Sequence, residues 1–328
     1  MSGFDPSAWI ASRLAGARRE FEWHDGVDDA WVTALRGRLA AVTGFDRLKR
    51  GDLEPVMGSV EARDGLRRSE VSFTSQPGLR VAGTLLVPEG LDSPRPAVVC
   101  LPGHGPGKAP IVDDSAPDYQ NAFAIQFARA GFVVLAVEQF SFGLRQSKPS
   151  PDRPYSCGPD SMAALSLGET MVAWRCWDAL AGRDFLAGLP EVDSARIVTA
   201  GISGGGATAF WSACLDTRLA GCVVSGYFNT FAASIHSVDH CVDNYVPDLA
   251  HVVEMPDMAA LVAPRLFFAE SGTEDPIFPR VAFEAACARA REVYGRQAGN
   301  LGSHLFEGDH HWDGSQAVPW LVEKLYYR

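Results

Sequence analysis

Apolar residues recur along this chain at two different spacings. Over the first sixty residues the spacing is helical. Ile10, Leu14, Ala17 and Phe21 step by four, three and four, and Trp31, Leu35, Leu39 and Val42 by four, four and three. Asp28 or Asp29 is placed to cap the second stripe. From residue 67 short strand-like runs take over: 67–74 and 79–87 flank Gln76-Pro77-Gly78, turn chemistry that suits an antiparallel hairpin. Strands over 96–101 and 132–138 enclose a helix over 118–130. A longer helix follows, in which Leu167, Met171, Trp174, Trp177, Ala181 and Phe185 recur every three or four residues. Its two tryptophans read as core filling. Later strands fall at 220–225, 265–271 and 303–307, and a helix over 315–327 ends the pattern.

Strands and helices that alternate through short connections predict an α/β fold with a mainly parallel central sheet covered by helices on both faces. The expected division is a helical extension over 1–60 followed by one catalytic domain over 61–328. Two segments break the rhythm, 143–160 and 229–257. Long connections inside a compact domain are usually functional or disordered, and both follow strand ends, so they are expected to form the walls and lid of a pocket.

With 47% apolar and 21% charged residues, the chain has material for a large core and no signature of global disorder. A net charge of −11 without a Lys/Arg block argues against nucleic acid or an anionic membrane as partner. The seven cysteines are odd in number, scattered and free of any C-x-x-C pair, which argues against a disulfide framework or a zinc site. Neither a signal peptide nor a run of membrane-spanning length is visible, so a cytoplasmic location is expected.

The chemistry concentrates where an apolar run enters Gly201-Ile202-Ser203-Gly204-Gly205 and an Ala-rich segment, 207–215, follows. Strand, sharp turn and helix in that order are the context in which Gly-x-Ser-x-Gly presents a serine nucleophile. A serine hydroxyl needs an adjacent base, itself oriented by a carboxylate. In this arrangement the acid and then the histidine follow the serine along the chain. Asp275, 72 residues after Ser203 in the loop behind 265–271, is the first choice for the acid, and Glu274 the second. Behind the last strand come His310 and His311. Gly308, two residues before His310, permits the turn that favours it. The oxyanion donors are assigned to the main-chain N–H groups of Gly204 and of His104, in the small-residue loop Pro102-Gly103-His104-Gly105. Gly103, Phe142, Tyr227, His236, His240 and Tyr245 are the pocket candidates.

These stretches resemble the α/β-hydrolase superfamily, and within it the dienelactone-hydrolase-like and acetyl-xylan-esterase-like serine esterases. The resemblance covers about residues 65–325 and rests on Leu101-Pro-Gly-His-Gly-Pro-Gly-Lys108, Val137-Glu-Gln-Phe-Ser-Phe-Gly-Leu-Arg145, Trp174-Arg-Cys-Trp-Asp178 and Gly201-Ile-Ser-Gly-Gly-Gly206. It continues in His240-Cys-Val-Asp-Asn-Tyr-Val-Pro247, Gly272-Thr-Glu-Asp-Pro-Ile-Phe-Pro279 and Glu307-Gly-Asp-His310. It implies a Ser203–His310–Asp275 triad, oxyanion N–H groups at His104 and Gly204, and hydrolysis of short acyl or acetyl esters or of lactones through an acyl-enzyme. No cofactor and no metal are implied. Pro102 and Asp309 depart from the residues commoner in relatives. A peptidase or amidase, a C–C hydrolase or lyase, and a catalytically silent ligand-binding homologue are the alternatives. The expected partner is a small-molecule ester, with the N-terminal helices a candidate surface for a homo-oligomer.

Overall fold

Ten strands form one sheet in the computed structural model, which describes residues 4–149 and 155–327. The strands are β1 (Val56–Met57), β2 (Glu61–Arg63), β3 (Leu66–Gln76), β4 (Leu79–Pro88), β5 (Arg95–Leu101), β6 (Val133–Val137), β7 (Val192–Ile202), β8 (Gly221–Ser225), β9 (Leu266–Gly272) and β10 (Leu301–Phe306). Their order across the sheet is β1-β3-β4-β6-β5-β7-β8-β9-β10, with β2 also paired to β3. The run from β6 to β10 is parallel, whereas β1 to β4 join antiparallel. Pro77 and Gly78, the latter at φ +79°, close the expected β3–β4 hairpin. β6, β8 and β9 are buried along their whole length, as strands covered on both faces must be.

The helices are α1 (Ser7–Ala15), α2 (Asp29–Thr43), α3 (Ala109–Val112), α4 (Phe123–Arg129), α5 (Cys157–Ser166), α6 (Met171–Ala187), α7 (Gly204–Leu215), α8 (Leu249–Val252), α9 (Ala259–Val262), α10 (Arg280–Tyr294) and α11 (Ala317–Tyr326). One face of the sheet packs against α2, α6, α7, α9 and α10, with Leu35, Leu39, Cys176, Phe210 and Phe283 among its buried side chains. The other face carries α3, α4 and α11 around Phe123, Phe127, Trp312 and Leu321.

Several elements differ from the reading of the pattern. The first stripe ends early: α1 stops at Ala15 and buries none of its residues. Phe21 instead bridges Val253 in extended backbone and packs edge-on against Trp31 at 5.7 Å. Asp28 caps α2 by accepting the N–H of Trp31, and Arg36 ties the helix to the core through the carbonyls of Cys214 and Leu261. Leu167 does not belong to the long helix. It closes α5 as an exposed C-cap, while Thr170 caps α6. Within 143–160, residues 150–154 lie outside the described residues. The amphipathic α10 was missing from the pattern, although Phe283, Ala286, Cys287, Ala290 and Tyr294 bury one face of it at helical spacing. Among the described residues, no helix is long and apolar enough to cross a membrane.

Candidate active site

The turn between β7 and α7 holds Ser203 at φ 56° and ψ −123°, a backbone region costly for any residue with a side chain. Glycine makes the turn sterically feasible. A Cβ on Gly205 would fall on the Leu101 carbonyl, and one on Gly206 would stand 2.8 Å from Ser225 O. The Ser203 N–H donates to Ser225 O at 2.9 Å, locking the turn to the end of β8. Gly204 opens α7, so its N–H has no acceptor within the helix.

Two loops beyond later strands converge on this turn. Asp275, its side chain almost fully buried, follows β9. Its Oδ1 accepts the N–H groups of Ile277 and Phe278, and its Oδ2 lies 2.6 Å from His310 Nδ1. The imidazole of His310 is held between Tyr119 and Phe278, whose rings lie near-parallel to it at 6.0 and 5.7 Å. Its Nε2 is buried without a hydrogen-bond partner among the described residues. His311 turns away and pairs with the exposed Asp309 at 2.8 Å. A cleft of about 510 Å³ joins Ser203 and His310 with His104, Tyr119, Tyr155, Val238, His240, Cys241 and Ile277.

The loop after β5 is pinned along its length. Gln139 donates to Pro102 O at 2.5 Å, Gln120 accepts from Gly103 N at 2.7 Å, Tyr119 donates to His104 O at 2.8 Å and Glu138 accepts from Lys108 N at 2.9 Å. Gln120 therefore occupies the Gly103 N–H. The His104 side chain lines the cleft, and its Nε2 lies 2.8 Å from Asp243 Oδ2. Asp243 also takes Arg175 Nη1 at 2.6 Å, and the guanidinium lies over Phe142 at 4.5 Å. Burial works against a charge on His104, but the adjacent Asp243 outweighs it and raises the imidazole pKa to about 9. The same partners hold the Asp243 carboxyl well below its ordinary range against its own burial.

Five of the six pocket candidates are not among the residues that line this cleft. Tyr227 is buried in the core, its hydroxyl accepting from Trp211 Nε1 at 3.1 Å. Phe142 is fully buried beneath His104 and Arg175. His236 faces a separate groove between α1 and the segment around Val253. Tyr245 donates its hydroxyl to Ile235 O at 3.0 Å and braces that segment instead. His240 does line the cleft, and Gly103 sits directly under the Tyr119 hydroxyl. Pattern reading passed over Tyr119, Tyr155, Arg175 and Asp243. Arg175 and Asp243 both stand inside stretches that carried the resemblance, and their buried ion pair shows only in the structure.

Two clusters combine residue types that bind metals. His104, Cys157, Cys241 and Asp243 bring their ligand atoms within 4.8 Å of one another, as do Glu270, His304 and Asp313. Arg175, bonded to Asp243 and 3.2 Å from Cys157 Sγ, already supplies the cation of the first. In the second, Glu270 accepts the main-chain N–H groups of Asp313 and Gly314. Neither is read as a metal site.

A parallel sheet with a serine turn at the end of a central strand, and acid and histidine loops beyond later strands, defines the α/β-hydrolase fold. The chain belongs to the Abhydrolase family, which it matches over residues 23–292. The match includes α2 and stops short of β10 and His310. A Bacillus subtilis (strain 168) protein named "Putative hydrolase YtaP" is 27% identical over 217 residues, covering 64% of this chain and 70% of that one. Among solved structures, a "putative acetyl xylan esterase (BF1801)" from Bacteroides fragilis NCTC 9343 superposes with a TM-score of 0.80 at 18% identity, covering 98% of this chain and 95% of that one. A glucuronoyl esterase from Solibacter usitatus gives a TM-score of 0.63 at 16% identity, with 90% and 93% covered. At such identities the likeness carries the fold alone.

Proposed function

We propose that this protein is a carboxylic-ester hydrolase acting on short acyl esters, acetyl esters above all, with small lactones as further substrates. The observation that carries this reading is the Asp275–His310 pair at 2.6 Å, sharing one cleft with a serine in a strained strand-to-helix turn. Asp275 fixes the imidazole so that Nδ1–H faces the carboxylate and Nε2 is left to accept a proton. Ser203 attacks the ester carbonyl and passes its proton to His310, which hands it to the departing alcohol. Water, deprotonated by the same histidine, then hydrolyses the acyl-enzyme. The N–H groups of His104 and Gly204 hold the oxyanion of each tetrahedral intermediate. His310 Nε2 is free to take the serine's proton, having no hydrogen-bond partner among the described residues.

The aromatic rim of Tyr119 and Tyr155 suits a carbohydrate or aryl alcohol. The likeness to a putative acetyl xylan esterase supports an acetylated sugar as the first class to try. A series of p-nitrophenyl esters, from acetate to octanoate, tests the reading. Hydrolysis is expected to be fastest at the short end, and Ser203→Ala is expected to lower kcat by roughly 10⁴–10⁶-fold. An undiminished rate in Ser203→Ala would end the proposal. A fluorophosphonate probe should label Ser203, which separates an enzyme from a silent ligand-binding homologue.

A further inference from the structure

His104 has a side chain that the mechanism above does not use, and its surroundings are unusual for a loop histidine. Its ring edge, Cε1 and Nδ1, stands 2.9 Å from where a Cβ on Gly204 would be, so it faces the first turn of α7 beside the proposed oxyanion donor. Its other nitrogen is held by Asp243, whose side chain is wholly buried. Arg175, also buried, takes the same carboxylate oxygen and is fixed in turn by Phe140 O at 3.2 Å. Arg175 and Asp243 cancel, so a proton on His104 leaves this cluster with one net positive charge. That charge lies at the wall of the cleft next to Ser203.

From these contacts we infer that the His104 side chain, as an imidazolium, is an electrostatic partner of the oxyanion, acting beside the two main-chain N–H groups. The inference rests on the esterase reading of the same site. His104 keeps its proton throughout: the proton that moves is the serine's, by way of His310, so no bond to His104 forms or breaks. Negative charge appears on the carbonyl oxygen only in the tetrahedral state, and a fixed positive charge in a half-buried site favours that state over the neutral ester. Asp243 and Arg175 are positioning residues here, the first keeping the imidazole charged and the second keeping Asp243 in place.

The other groups around the ring support the assignment. Cys157 of α5 and the Cys241 thiol approach the same cluster, and the hydrogen bond with Cys157, together with burial, raises the Cys241 pKa, which keeps it neutral. Burial lowers the pKa of His240, which therefore adds no charge near neutral pH, and Tyr119 and Tyr155 are both pushed up by burial. Tyr119 spends its hydroxyl proton on His104 O, and His310 lies across Ser203 in the same cleft.

The test is a pH–rate profile of p-nitrophenyl acetate hydrolysis, corrected for background, for the wild type and His104→Gln. The wild-type kcat should fall as pH rises through about 9, where the imidazolium loses its proton. His104→Gln should lower kcat at pH 7.5 by about 10- to 100-fold with KM within about threefold, and should lack the alkaline limb. A kcat within twofold of wild type, or a variant that keeps the limb, overturns the inference. Should the variant not fold, the wild-type profile decides: a kcat flat from pH 7 to 10 overturns it as well. A wild type that neither hydrolyses the ester nor takes the fluorophosphonate fails the esterase reading and this inference together. Hydrolysis with an unaffected His104→Gln fails this inference alone.

Discussion

Glu270 offers a perturbation whose size follows from its surroundings. It sits on β9 with no exposed surface, and burial raises its carboxyl pKa from 4.5 to about 7, the nearby Asp313 adding to the effect. The folded chain therefore holds a proton that the unfolded chain has released over the interval between those values. Stability falls with rising pH wherever the native state binds the extra proton. The contribution is whole below pH 4.5 and is lost as pH passes through about 7. At about 1.4 kcal/mol per pH unit of separation, the folded state loses about 3 kcal/mol across that window. Glu270→Gln keeps an acceptor for the N–H groups of Asp313 and Gly314 and cannot ionise. Urea unfolding of both proteins at pH 4.5 and pH 8 isolates the effect, because every other titrating group is common to the two. The variant should gain about 3 kcal/mol on the wild type between the two pH values. Parallel losses in both proteins would refute the claim that burial makes the folded chain keep this proton.

Further tests probe the turn and the base. Gly205→Ala forces a methyl against the main chain of Leu101 and Pro102, which cannot rotate away, so a cost of about 3 kcal/mol is expected in the urea midpoint; an unchanged midpoint would contradict the packing described. His310→Ala should lower kcat by about 10⁴-fold or more, and His311→Ala, whose ring pairs with exposed Asp309, by less than about threefold. Equal, mild losses in the two would mean that the base lies elsewhere.

The parallel core was readable because its strands are short apolar runs and helices such as α2 and α6 bury residues at helical spacing. Position along the chain, more than any single residue, brought Ser203, Asp275 and His310 into consideration, and the fold carries Ser203 and His310 to one cleft with Asp275 buried against His310. The pocket was far less readable. His236, Tyr245, Tyr227 and Phe142 are the residue types that line binding sites, yet each spends its ring or hydroxyl on its own segment or on the core. Whether a side chain between residues 229 and 257 faces the serine depends on how an irregular segment folds back, and irregular backbone has no period to read. Arg175 escaped notice for another reason. It lies on α6 among residues that are buried like any helix face, and only its partner, 68 positions away, shows it to be paired. The first helix misled because an apolar stripe promises burial without naming the surface that supplies it.

The nucleophile turn and the cleft wall are built from unlike material, and that difference governs how the protein can change. Around Ser203 the space beside Gly201, Gly205 and Gly206 is bounded first by main chain, which no neighbouring substitution can clear. Opposite it, Val238, His240 and Cys241 present side chains from a stretch that takes part in no sheet ladder. Variation can therefore accumulate on one side of the cleft and hardly at all on the other. Laboratory selection for a new acyl or alcohol group should collect its substitutions at 238–241 and leave 201–206 untouched, so that substrate range drifts while the reaction stays the same.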